Sequence, residues 1–220
     1  MRVFLLLWVC LMPIEGFVKS ENWNEFNSSL VIEVTRPNGV FTCTGVAVSK
    51  DLILTAAHCL DGDIKRVRVF TQDRYDPKAP SFEVSSFKIH PNYNPKSSRY
   101  ISDLAKISLK QRLPDEIKTI PIYRGLAPNG QFYRFGFGER NKKNVRTVIT
   151  PRLKRVDTVQ NILELNDMFS YSGDSGGPIF LQNEFGIFLI AIHSTLSFGP
   201  EGRYSYNPLL APYEKWLFEN

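Results

Sequence analysis

Residues 172–178 read Ser172-Gly173-Asp174-Ser175-Gly176-Gly177-Pro178. Glycines on both sides of a serine permit a tight turn that holds the hydroxyl outward. They also let the backbone N–H groups of Gly173 and Ser175 converge on one point, the arrangement that stabilises an oxyanion. A glycine-rich hairpin with an incidental serine has the same composition, so the stretch acquires meaning only through partners elsewhere in the chain.

A serine hydroxyl that attacks a peptide bond needs a base within hydrogen-bond reach and a buried carboxylate to orient that base. Leu52-Ile53-Leu54-Thr55-Ala56-Ala57-His58-Cys59 is an apolar strand ending in small residues that leave room around an imidazole, which makes His58 the candidate base. Ser102-Asp103-Leu104-Ala105-Lys106-Ile107-Ser108-Leu109 places an acid, Asp103, at the opening of an alternating strand. Each is weak alone: a single histidine after an apolar run is commonly a hydrogen-bonded structural residue, and such aspartates commonly cap turns.

Around these segments, short runs rich in Val, Ile, Phe and Thr recur between turn residues: Leu30 to Thr35, Phe41 to Val48, Val67 to Thr71, Phe82 to Ile89, Leu104 to Leu109, Thr119 to Tyr123 and Gly186 to Ile192. The spacing predicts an all-β fold. Helical periodicity is confined to the end, where Pro212 opens a segment with Tyr213, Trp216 and Leu217 on one face.

With 220 residues, 43% of them hydrophobic, the chain buries one core or two small lobes sharing an interface. No repeat or low-complexity linker divides it. Met1-Arg2 followed by the apolar run Val3 to Met12 has the form of a secretory leader, too short to span a bilayer and broken by Pro13 and Gly16. Its end falls at residues 16–20, leaving residues 17–220 as the domain. Removing it takes Cys10 away and leaves Cys43 and Cys59 bound for an oxidising compartment, where one disulfide is expected. The net charge of +5 is spread over separate groups such as Arg140-Lys142-Lys143 and Arg152-Lys154-Arg155, so neither a nucleic acid nor a membrane partner is inferred.

Thr55-Ala56-Ala57-His58-Cys59, Asp103 to Leu109 and Gly173 to Pro178 resemble, in that order, the signatures of the trypsin/chymotrypsin-like serine proteases. Phe41-Thr42-Cys43-Thr44-Gly45, His90-Pro91-Asn92-Tyr93-Asn94 and Gly136-Phe137-Gly138 are similar to further stretches of that family, the last without its usual tryptophan. The resemblance implies two perpendicular six-stranded antiparallel β-barrels with a short C-terminal helix, a triad of His58, Asp103 and Ser175 between them, an oxyanion hole at Gly173 and Ser175, and a Cys43–Cys59 disulfide. It implies a monomer that cleaves protein or peptide substrates without metal or organic cofactor, and a structural His90.

The chain also departs from the family. Members are usually activated when cleavage frees an Ile-Val-Gly-Gly terminus whose ammonium pairs with the aspartate before the nucleophile, here Asp174; no such tetrapeptide is present, and the usual distance from His58 leads back to Phe17-Val18. Leader removal after Gly16 would create that terminus, while a cut after Ser20 would not. Phe169 stands where members that bind Arg or Lys carry an aspartate. His193, in Ala191-Ile192-His193-Ser194-Thr195, resembles the histidine of glutamate-specific members, so Phe169, Ser170, Ser172, His193 and Ser194 are the expected substrate-binding residues. Acidic side chains are the expected fit, with a satisfied strand histidine, or an apolar pocket at Phe169, as the alternatives.

Overall fold

A computed structural model of the chain describes residues 17–18, 26–97, 100–125, 128–200 and 202–219. The leader expected over residues 1–16 lies outside them.

The first strand, β1 (Phe17–Val18), joins the second lobe. The first lobe is built from β2 (Ser29–Arg36), β3 (Gly39–Ala47), β4 (Leu52–Thr55), a single helical turn α1 (Ala57–Leu60), β5 (Arg66–Phe70), β6 (Phe82–Ile89) and β7 (Ala105–Leu109). Its six strands close into a barrel in the order β2-β3-β4-β7-β6-β5. Alternation explains the closure, because successive side chains of a strand point to opposite faces. Leu30, Ile32 and Val34 of β2 meet Val67, Val69, Ala105, Ile107 and Leu109 inside the barrel, whereas Val31 between them packs outward on Phe70 and Phe137.

The second lobe contains β8 (Gln131–Gly136), β9 (Glu139–Arg140), β10 (Lys143–Asn144), β11 (Thr147–Ile149), β12 (Arg152–Asp157), β13 (Ile162–Asn166), β14 (Pro178–Asn183), β15 (Gly186–Ile192), β16 (Thr195–Gly199) and β17 (Gly202–Pro208). They form a five-stranded sheet, β1-β11-β8-β14-β15, and a four-stranded sheet, β12-β13-β17-β16, with β9 and β10 as a small hairpin. A bridge between Ala191 and Leu209 connects the two sheets. The expected second barrel thus takes the form of two hydrogen-bonded sheets.

Thr119 to Tyr123, expected as a strand, makes one bridge instead, between Ile122 and Leu189. Pro121 is the reason: its carbonyl accepts the Leu189 N–H at 2.8 Å and Tyr123 N–H donates back to Leu189 O at 2.9 Å, but Pro121 has no N–H with which to extend the pairing into a ladder.

Between the lobes lies a shared apolar cluster. Val46, Leu54 and Leu104 from the first lobe pack with Phe135, Phe180, Leu189 and Ile192 from the second. The expected C-terminal helix, α2 (Glu214–Phe218), follows a 3-10 turn over Ala211–Tyr213, and Tyr213 and Leu217 enter the same cluster. Lys106 of β7 fixes its end: Nζ donates to the carbonyls of Trp216 at 2.8 Å and Leu217 at 3.4 Å, and to that of Glu219.

Candidate active site

His58 sits in the one-turn helix α1, where its backbone is held from several directions. Cys59, the next residue, is bonded to Cys43 of β3 with 6.3 Å between the Cα atoms. The Arg36 guanidinium donates to the carbonyls of Cys59 at 3.0 Å and His58 at 3.5 Å, supplying partners that a helix end otherwise lacks. The His58 side chain remains 25% exposed while that of Asp103 is fully buried.

Asp103 lies just before β7, after a turn in which Tyr100 and Ser102 take the left-handed backbone conformation (φ +46° and +54°). Its two oxygens bind His58 twice. Oδ1 accepts the His58 backbone N–H at 2.8 Å and Oδ2 meets His58 Nδ1 at 2.7 Å. Ser194 Oγ donates to Oδ2 at 2.5 Å. With Nδ1–H committed to the carboxylate, His58 Nε2 is the nitrogen left to accept a proton. Tyr100 packs on the imidazole with ring centroids 5.7 Å apart.

Ser175 is brought to this pair through the backbone. Its carbonyl accepts from Thr44 N–H at 2.8 Å, one residue along from Cys43, and lies 3.8 Å from Cys59 Sγ. The next residue, Gly176, donates to the His193 carbonyl at 2.8 Å, and His193 N–H returns a bond to Gly177 O at 2.7 Å. The turn therefore connects to the Cys43–Cys59–His58 side and to the Ser194–Asp103 side at once. Gly176 has φ +82°, and a Cβ there would stand 2.2 Å from the Thr44 carbonyl oxygen, which excludes any side chain. Gly173 has φ +99°, with its carbonyl accepting from Thr44 Oγ1 at 2.7 Å.

Behind the turn is a buried ionic network that no sequence motif announced. Arg134 donates from Nε and Nη2 to Asp167 at 2.6 and 3.1 Å, and its Nη1 pairs with Asp174 at 3.1 Å. Burial pulls its guanidinium toward deprotonation, but the two carboxylates outweigh this and raise it. Burial likewise pushes Asp167 and Asp174 up, and Arg134, with Arg140 on Asp174, reverses the effect and holds both below the usual carboxylate range. The signal available in the sequence was an arginine at an inward position of the alternating run Gln131 to Gly136.

Of the expected substrate-binding residues, Ser172 is exposed, Phe169 half-buried, and Ser170, His193 and Ser194 buried. Ser194 directs its hydroxyl to Asp103. Asn207 Nδ2 donates to Leu163 O and Ser205 Oγ, both at 2.9 Å, which turns Oδ1 toward His193 Nδ1 at 3.1 Å. Nδ1 must then carry the proton, and Nε2 accepts from Ser170 Oγ at 2.7 Å. Burial, followed by the nearby Arg134 charge, lowers the His193 pKa to about 4. At neutral pH His193 is uncharged, and Ser170 has spent its proton on it. His90 is buried between Tyr213 and Trp216, with ring centroids 4.9 and 4.7 Å away, and burial lowers its pKa.

The Ser175 turn, the carboxylate-oriented imidazole of His58 and the ionic cluster beneath the turn are thus held together, and comparison of the sequence with protein families places the chain in a class. The trypsin family model matches residues 18–217, and the chain belongs to that family of serine proteases. Among curated proteins it is similar to CLIP domain-containing serine protease B4 of Anopheles gambiae, 25% identical over 90% of this chain and 67% of the relative. It is similar to hypodermin-B of Hypoderma lineatum, 28% identical over 64% of each, and to mouse vitamin K-dependent protein C, 26% identical over 80% of this chain and 45% of that one. The chain spans 45% to 67% of the length of these relatives.

Proposed function

We propose that the protein is a secreted serine endopeptidase that cleaves protein or peptide substrates through an acyl-enzyme. The observation that carries this reading is the pair of hydrogen bonds that His58 makes to Asp103, through its backbone N–H and Nδ1, which leaves His58 Nε2 to serve Ser175. Ser175 Oγ attacks the scissile carbonyl carbon while Nε2 takes its proton. The C–N bond breaks as the same proton passes to the leaving amine, and a water, deprotonated by His58, then hydrolyses the ester. The N–H groups of Gly173 and Ser175 receive the oxyanion at each step. Asp103 keeps the proton-bearing nitrogen of His58 turned inward and balances the imidazolium. The apolar run Val3 to Met12 serves as the leader and supports export.

For specificity, the reading is an acidic side chain received at Ser170, Ser172 and His193. The hydrogen-bond pattern makes this coupled to proton uptake. Protonated His193 donates from Nε2, which frees the Ser170 hydroxyl to donate to a substrate carboxylate. Cleavage after Glu relative to an apolar residue therefore rises as pH falls from 7 toward 5.

The test is fluorophosphonate labelling of the secreted protein beside Ser175→Ala, followed by peptide-library profiling at two pH values. Labelling confined to the protein with Ser175, and cuts after Glu or Asp that gain weight at the lower pH, are expected. Absence of labelling favours the other reading, an inactive homologue that uses this fold as a binding module; cuts after apolar residues at both pH values overturn the acidic pocket alone.

A further inference from the structure

The Asp174 carboxylate, adjacent to the nucleophile, already has its counter-charge from within the second lobe. Its side chain is fully buried. Oδ1 accepts from Gly138 N–H at 2.7 Å and Arg140 Nη1 at 3.3 Å. Oδ2 accepts from Tyr171 N–H at 2.9 Å and Arg140 Nη2 at 2.7 Å, and pairs with Arg134 Nη1 at 3.1 Å.

The charged and titratable groups facing it from the packed elements are Arg134 on β8, Arg140 on β9, Asp167 after β13 and His193 after β15. With His193 neutral, two guanidiniums face two carboxylates. A third cation brought to Asp174 would leave one positive charge uncompensated in a buried site, which is costly.

Arg140 also reaches beyond the carboxylate. Its Nη1 donates to Gly138 O and its Nη2 to Phe169 O, both at 2.9 Å. The guanidinium lies over the Tyr171 ring at 4.7 Å from its centroid. One side chain thus fastens the Gly136–Gly138 turn, the Phe169–Tyr171 segment and the aspartate that anchors Gly173 and Ser175.

We propose that Arg140 is the positioning residue that organises the nucleophile turn and its oxyanion hole, in place of a liberated N-terminal ammonium. The site then forms whether or not the residues before Phe17 have been removed. This rests on the endopeptidase reading.

The deciding experiment compares the whole chain from Met1, made by cell-free translation without processing, with a chain beginning at Phe17, the termini of both verified by mass spectrometry. Fluorophosphonate labelling rates that agree within about twofold are expected. Labelling of the Phe17 form that is at least about tenfold faster than that of the whole chain overturns the proposal. No labelling of either form overturns the endopeptidase reading and this one with it.

A pH series adds a signature that a merely structural arginine would not move. A terminal ammonium titrates near pH ~8 and a lysine near ~10.4, whereas a guanidinium keeps its charge beyond both. Labelling by the unaltered protein is expected to stay level to about pH 10, while Arg140→Lys acquires an alkaline loss close to its own titration. Arg140→Ala is expected to label at least about tenfold more slowly. Labelling of Arg140→Ala at the unaltered rate overturns the proposal, and if that variant does not fold, the comparison of the two termini decides alone.

Discussion

At the scale of single residues, the buried His193 couples the stability of the fold to pH. Its folded pKa is about 4 against an ordinary 6.5. Between those values the unfolded chain binds the proton and the folded chain does not, so stability rises with pH across that window. The contribution is complete above pH 6.5 and fades as pH falls through about 4. Urea unfolding at pH 7 and pH 4.5 should show a loss of about 2–3 kcal/mol from this group, to which His90, also lowered by burial, adds in the same direction. Asp167 and Asp174, held low, protect the fold until still lower pH, so they do not mask the effect. A stability unchanged between the two pH values would exclude a neutral buried His193.

At the scale of elements, Lys106 does for α2 what a capping residue does for a longer helix: it satisfies terminal carbonyls that have no partner within the helix. It is buried, and its ammonium lies 5.1 Å from the Trp216 ring centroid. Replacing it by Met keeps most of the apolar stem but leaves those carbonyls unbonded, at an expected cost of about 1–3 kcal/mol in equilibrium unfolding. A Lys106→Met protein as stable as the parent would show that the helix end is held by packing alone. Elements were legible in the sequence where a short run rich in Val, Ile and Phe stood between turn residues, as in Phe82–Ile89 and Gly186–Ile192, which the structure reproduces to the residue. They were hidden where polar residues fill both faces, as in Arg152–Asp157, or where a strand is as short as Thr147–Ile149. Thr119 to Tyr123 misled because its composition favours a strand while Pro121 forbids the ladder. His58, Asp103 and Ser175 stood out through local motifs. Arg134, Arg140 and Asp167 did not, because an ionic cluster is defined by where distant segments meet and carries no spacing of its own.

At the scale of the whole molecule, the apolar cluster between the lobes makes them one folding unit. Phe180 is fully buried in it, against Phe26 and Phe135 at ring-centroid distances of 5.2 and 5.7 Å. Phe180→Ala removes that contact and leaves a cavity, with an expected loss of about 3–5 kcal/mol. Because the cluster also contains Val46, Leu54 and Leu104, the loss should appear as one cooperative transition at lower denaturant, followed by both fluorescence and circular dichroism. Two separated transitions would mean that the lobes stand independently. The segment from Ala211 to Phe218 gives this union an order in time. It follows every strand of both lobes in the chain, yet it presses on the first lobe through Tyr213, Leu217 and the Lys106 bonds. A ribosome therefore releases the complete first barrel well before the clasp that fastens it to its neighbour, and a nascent chain that already holds His58, Asp103 and Ser175 still lacks that fastening.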